Sequence, residues 1–133
     1  MHLTPYLTVD DIGFDLTPDA LVARLGRPAS ITTNDVALTA YDYGERVFRF
    51  QDSGRLEEVT QRVPVLHVGS VAIPFAALAR FVRAQDDDAF DRAGFLVSPR
   101  WGIAFVPHEP DWLTALARHC IPTWQALPGD SAR

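Results

Sequence analysis

The sequence contains no lysine and only one cysteine. The first absence removes chemistry. P-loop phosphate binding needs its Lys and Schiff-base catalysis needs an amine, so neither is available as normally built. With Cys120 alone, no intrachain disulfide can form, and nothing argues for an oxidising compartment. Positive charge is also scarce. All 12 basic residues are Arg against 17 acidic ones, giving a net charge of −5. The densest basic groups, Arg24/Arg27 and Arg46/Arg49, are thin. An acidic chain repels a phosphate backbone, so nucleic acid is not the expected partner. No apolar run approaches a membrane span, and residues 1–5 lack a basic stretch before an apolar one. The expectation is a cytoplasmic protein with no membrane association.

What is present is a faint internal echo. Residues 16–24 read as an amphipathic helix, followed by Tyr43-Gly44 and an apolar strand over 46–51. Residues 74–83 read as a second such helix, followed by Trp101-Gly102 and a strand over 101–106. The pattern predicts a pseudo-repeat over 12–63 and 70–120 inside one domain, 1–126, with 127–133 as a frayed tail.

Local signals place the elements. Residues 3–9 form a first strand or extended arm, with Pro5 favouring an edge. Thr17 can cap the first helix, Pro18 fits its first position, Leu16 and Leu21 are spaced as a staple, and Gly26 with Pro28 ends it. Strands follow over 30–33, 36–43, 46–51 and 56–63, separated by turns at Asn34-Asp35, Gly44-Glu45 and Asp52-Ser53-Gly54. A short strand over 65–68 precedes the second helix, whose apolar face carries Phe75, Leu78, Phe81 and Val82. A hairpin spans 95–106, and a third helix is expected over 112–120, capped by Asp111 and stopped by Pro122. The predicted fold is α+β: a curved antiparallel sheet with two or three helices packed on one face, a layout that two similar α/β halves would satisfy.

Tests for catalytic chemistry return little. Asp86, Asp87, Asp88 and Asp91 lack the central Gly and late Glu of a calcium loop. No two of the four His residues have helical ligand spacing, and His119 and Cys120, as neighbours on a helix, would point about 100° apart. Ser98 sits outside any nucleophile elbow. Glu57 and Glu58 alternate to opposite strand faces. No catalytic residue, metal site or cofactor is expected, although a dyad built from distant residues stays open.

Leu25-Gly26-Arg27-Pro28, Tyr41-Asp42-Tyr43-Gly44, Phe48-Arg49-Phe50 and Gly54-Arg55-Leu56-Glu57-Glu58-Val59 resemble the helix-then-meander unit of BamE-like domains. That unit occurs duplicated in a β-lactamase inhibitory protein, and small bacterial immunity proteins share its α+β character. The resemblance covers the first half and implies binding, with no catalytic residues to carry over. The expected function is therefore a soluble binding or inhibitory protein, such as an immunity protein that neutralises a basic bacterial toxin enzyme. Tyr41 and Tyr43 would anchor it, because Phe48 and Phe50 already supply one apolar face. Asp86, Asp87, Asp88 and Asp91 would steer association. The alternative is a small enzyme or ligand carrier with an apolar cavity in a curved sheet. A homodimer through the Tyr41/Tyr43 face is a third reading.

Overall fold

The computed structural model describes residues 1–34, 38–109 and 111–127. Its N-terminal arm does not run straight. β1 (His2–Thr4) turns back into β2 (Thr8–Val9), and β3 (Ile12–Gly13) adds a third short strand. Tyr6 takes the turn with φ of 68°, and Leu7 N–H donates to the Thr4 carbonyl at 2.9 Å. Pro5 thus belongs to a turn, not to an edge strand.

α1 (Pro18–Leu25) starts and stops where its cap residues dictate. Thr17 Oγ1 accepts from Ala20 N–H at 3.2 Å, and Gly26, at φ 85°, returns its N–H to the Val22 carbonyl. Leu21 is fully buried, whereas Val22 is exposed, so the apolar stripe is narrower than its residue types suggest.

β4 (Ser30–Thr33), β5 (Leu38–Asp42), β6 (Arg46–Gln51) and β7 (Leu56–Arg62) form the expected antiparallel meander. Asp35 and the start of the strand predicted from residue 36 lie outside the described residues. β8 (Val65–Val68) and β9 (Val71–Pro74) follow as a hairpin, the latter where only a helix lead-in was expected. α2 (Phe75–Gln85) then buries Phe75, Leu78 and Val82. A second meander comes next: β10 (Phe90–Arg92), β11 (Phe95–Ser98), β12 (Ile103–Phe105) and β13 (Trp112–Leu116). α3 (Cys120–Ala126) is the last described element.

β13 corrects the expected helix over 112–120. Its burial has period two: Leu113 and Ala115 are buried, while Trp112 and Thr114 are only partly so. It is hydrogen-bonded on both sides, to β12 and to β7. The helix starts only at Cys120. Pro122 then falls in its first turn, where a missing N–H leaves no intrahelical bond unmade.

The fold is mixed α+β, with two sheets where one was expected. The smaller has the order β3-β2-β1-β8-β9, with β1 parallel to β8 and the other pairings antiparallel. The larger has eight strands in the order β10-β11-β12-β13-β7-β6-β5-β4, antiparallel throughout, so the two meanders meet at their last strands. One core cluster joins both sheets to α1 and α2, through residues such as Leu3, Leu66, Leu21, Leu78, Phe48 and Phe105. A second cluster lies on the other face of the large sheet, where Val97, Ala104 and Leu116 meet Cys120 and Ile121 of α3. The helices therefore do not share one face.

Candidate functional site

The outer face of the large sheet, turned away from the main core, carries a cleft of about 280 Å³. Strand alternation builds it. Arg49 of β6 lies opposite Glu58 of β7, and Thr60 of β7 lies opposite Thr114 of β13. The walls come from Phe95, Ala104, Val106, Trp112 and Trp124 of α3, with Glu109 also on the lining. Trp124 meets Phe95 edge-on at 5.2 Å between ring centroids. Arg62 lies over the Trp112 ring at 5.0 Å and pairs with Asp111 at 2.7 Å, which braces that wall.

Polar groups converge on the floor. Arg49 Nη1 donates to Thr60 Oγ1 at 2.9 Å and stands 3.6 Å from Glu58 Oε1. The Thr60 and Thr114 hydroxyls share a hydrogen bond of 2.7 Å. Burial pushes the Glu58 carboxyl above its ordinary range; Arg49 opposes that shift and Glu57 adds to it.

A smaller recess of about 130 Å³ adjoins this cleft and shares Glu58 and Trp124 with it. Beneath it lies Glu57, buried, whose carboxylate accepts from Gln51 Nε2 at 3.1 Å and Arg55 Nε at 3.2 Å. His119 Nε2 also contacts Glu57 Oε2. Cys120 donates its thiol to the Glu57 carbonyl at 3.4 Å. Burial, followed by the Glu57 and Glu58 carboxylates, pushes that thiol up to about 12, so it is protonated and a poor nucleophile at neutral pH. The expected divergence of His119 and Cys120 does not keep them apart, because both reach Glu57, His119 at its carboxylate and Cys120 at its carbonyl.

The residues singled out in the sequence are placed differently. Tyr41 and Tyr43 do not occupy a face separate from the phenylalanines. Their rings pack edge-on against Phe50 at 5.4 Å and Phe48 at 5.9 Å, and Tyr43 donates its hydroxyl to the Gly26 carbonyl at 2.9 Å. Burial, with Tyr41 adding to it, raises the Tyr43 phenol above its usual range. Asp86 is not a surface steering charge. It is buried and accepts from Ser98 Oγ at 2.6 Å, Arg100 N–H at 3.0 Å and Asp88 N–H at 2.9 Å. Ser98 is thereby a structural hydroxyl. Asp87 and Asp88 are exposed, and Asp91 is exposed but paired with Arg83 at 3.0 Å. Neither His67 nor His108 lies in the cleft; His67 stacks on His2 at 4.4 Å.

Sequence reasoning missed the cleft. Arg49 alternates with Phe48 and Phe50 in the sequence and its partners Glu58 and Thr60 lie on the neighbouring β7, but the other half of the cleft, Trp112 and Thr114, requires β13 to be a strand. No helix among the described residues is long and apolar enough to cross a membrane. Comparison with protein-family models, curated proteins and solved structures returns no match to this chain.

Proposed function

We propose that this chain is a binding protein of the immunity or inhibitor kind, cytoplasmic, which neutralises a basic bacterial toxin enzyme by docking it on the outer face of the large sheet. The observation that carries this reading is the cleft's make-up. Two Trp, a Phe and an Arg surround the half-buried Glu58 carboxylate and two threonines. Trp and Arg dominate binding hot spots because they combine large contact area with a polar handle. The net charge of −5 suits a basic partner.

The arrangement of the chain supports the same reading. Each of α1 and α2 precedes a four-stranded meander, and the meanders meet at β7 and β13. We read this as two similar halves, in line with the resemblance to duplicated BamE-like units in an inhibitory protein. The cleft lies on the seam between them, with Thr60 and Thr114 paired across it.

A second reading, a small enzyme or ligand carrier, is favoured by the same convergence of Arg49 and Glu58 between aromatic walls. A pull-down from the native host separates the two. The inhibitor reading expects an enzyme captured at one-to-one stoichiometry and inhibited by added chain. Capture of no enzyme, together with saturable small-molecule binding abolished by Arg49→Ala, would establish the carrier reading instead.

A further inference from the structure

Glu57, His119 and Cys120 bring three kinds of metal-binding donor together. A carboxylate oxygen, an imidazole nitrogen and the thiol sulfur all lie within 4.8 Å of one another. We propose that this cluster is a binding site for one divalent transition-metal ion of the zinc class. The inference stands apart from the function proposed above.

The donor set fits the ion. Zinc accepts thiolate, imidazole and carboxylate together, at bond lengths that put tetrahedral ligand atoms about 3.3–3.8 Å apart. The three residues hold their donor atoms within 4.8 Å of one another, close to that spacing. They come from two separately anchored places, β7 and the start of α3, which Ala117 N–H ties together by donating to the Glu57 carbonyl at 2.9 Å. Gln51 holds the second Glu57 oxygen, the kind of outer contact that orients a ligating carboxylate. The adjoining recess, lined by Gln51, Glu58 and Thr123 among others, opens onto the cluster and leaves room for a water as fourth ligand. Arg55, half-exposed, is the cation now beside Glu57 Oε2. It can swing into solvent as the metal arrives.

Binding involves no change of oxidation state. The thiol releases its proton to solvent, and its sulfur donates a lone pair to the metal. His119 binds as neutral imidazole, through the nitrogen that faces Glu57.

Cobalt(II) makes the test specific, because Cys120 is the only cysteine in the chain. Any thiolate-to-cobalt charge-transfer absorption in the monomeric protein must come from this site. Titrating the full chain with cobalt(II) should give that band, with intense tetrahedral d–d absorption, saturating at one ion per chain and displaced by zinc. Cys120→Ser should abolish the charge-transfer band. His119→Ala, at a half-exposed position that should tolerate truncation, should weaken binding by about tenfold or more. Binding with no thiolate band, binding unaffected by His119→Ala, or one ion per two chains would each overturn the proposal.

Discussion

Ser98 donates its hydroxyl to Asp86 Oδ2 at 2.6 Å inside the protein, joining the end of α2 to the turn between β11 and β12. The same carboxylate oxygen accepts the Arg100 N–H, and Ser98 Oγ accepts from Trp101 N–H at 3.2 Å. This network, not the steering of a partner, is the role the structure gives Asp86. Asp86→Ala leaves the buried Ser98 hydroxyl and the part-buried Arg100 and Asp88 amides without their acceptor; a fully buried loss costs about 1–3 kcal/mol and a solvated one less. Urea denaturation should show a loss of about 2–4 kcal/mol, whereas exposed Asp87→Asn should stay within about 0.5 kcal/mol.

The two aromatic-glycine pairs, Tyr43-Gly44 and Trp101-Gly102, look alike in sequence but are constrained differently. Both glycines have positive φ, 90° and 65°, which costs an L-residue about 1–2 kcal/mol. A Cβ on Gly44 would meet open space, while one on Gly102 would lie 2.9 Å from the Tyr6 ring. Gly102→Ala should therefore lower the melting temperature more than Gly44→Ala. Equal losses would mean that the Tyr6 contact imposes nothing beyond the backbone.

Tyr6 gives the fold a dependence on alkaline pH. Its hydroxyl donates to the Pro99 carbonyl. Burial is the main cause that lifts its pKa above the usual 10.0; Arg118 opposes the shift and Asp86 adds to it. The folded state thus holds the phenolic proton more tightly than the unfolded state. The stability this contributes is complete below about pH 10 and is lost as pH rises through the folded value. Denaturation of wild type and Tyr6→Phe between pH 8 and about 11.5 should show their stability difference shrinking with pH. A constant difference would remove Tyr6 as its source.

The helix ends of α1 were legible because caps act locally: Thr17, Pro18 and Gly26 each satisfy or forgo a bond within one turn. β13 was not legible. Trp112 to Ala117 reads as a helix start, and only pairing with β12 and β7, remote in sequence, makes it a strand. That single misreading hid the candidate site, since Thr114 and Trp112 complete the cleft. It also placed His119 inside a helix, away from Cys120. The tyrosines misled for a related reason. Alternation puts Tyr41 and Tyr43 on one face of the strand expected over 36–43, but which face follows from the Tyr41–Phe48 register.

Steering charge should act on association alone. Asp87 and Asp88 are exposed, so Asp87→Asn with Asp88→Asn should slow association with the identified partner and leave dissociation unchanged, the effect fading above about 0.15 M salt. A change in off-rate instead would place these residues inside the contact.

The central claim is that the seam cleft, not the tyrosine patch, holds the partner. Its most direct test is the dissociation rate of the captured partner from Trp124→Ala and Trp112→Ala, set beside Tyr41→Ala, with each variant's fold checked by circular dichroism. Truncating a desolvated anchor costs about 2 kcal/mol or more, so each Trp variant should dissociate about 30-fold faster while Tyr41→Ala stays near wild type. Unchanged rates for both Trp variants, with a large increase for Tyr41→Ala, would contradict the claim and move the interface to the opposite face of the sheet.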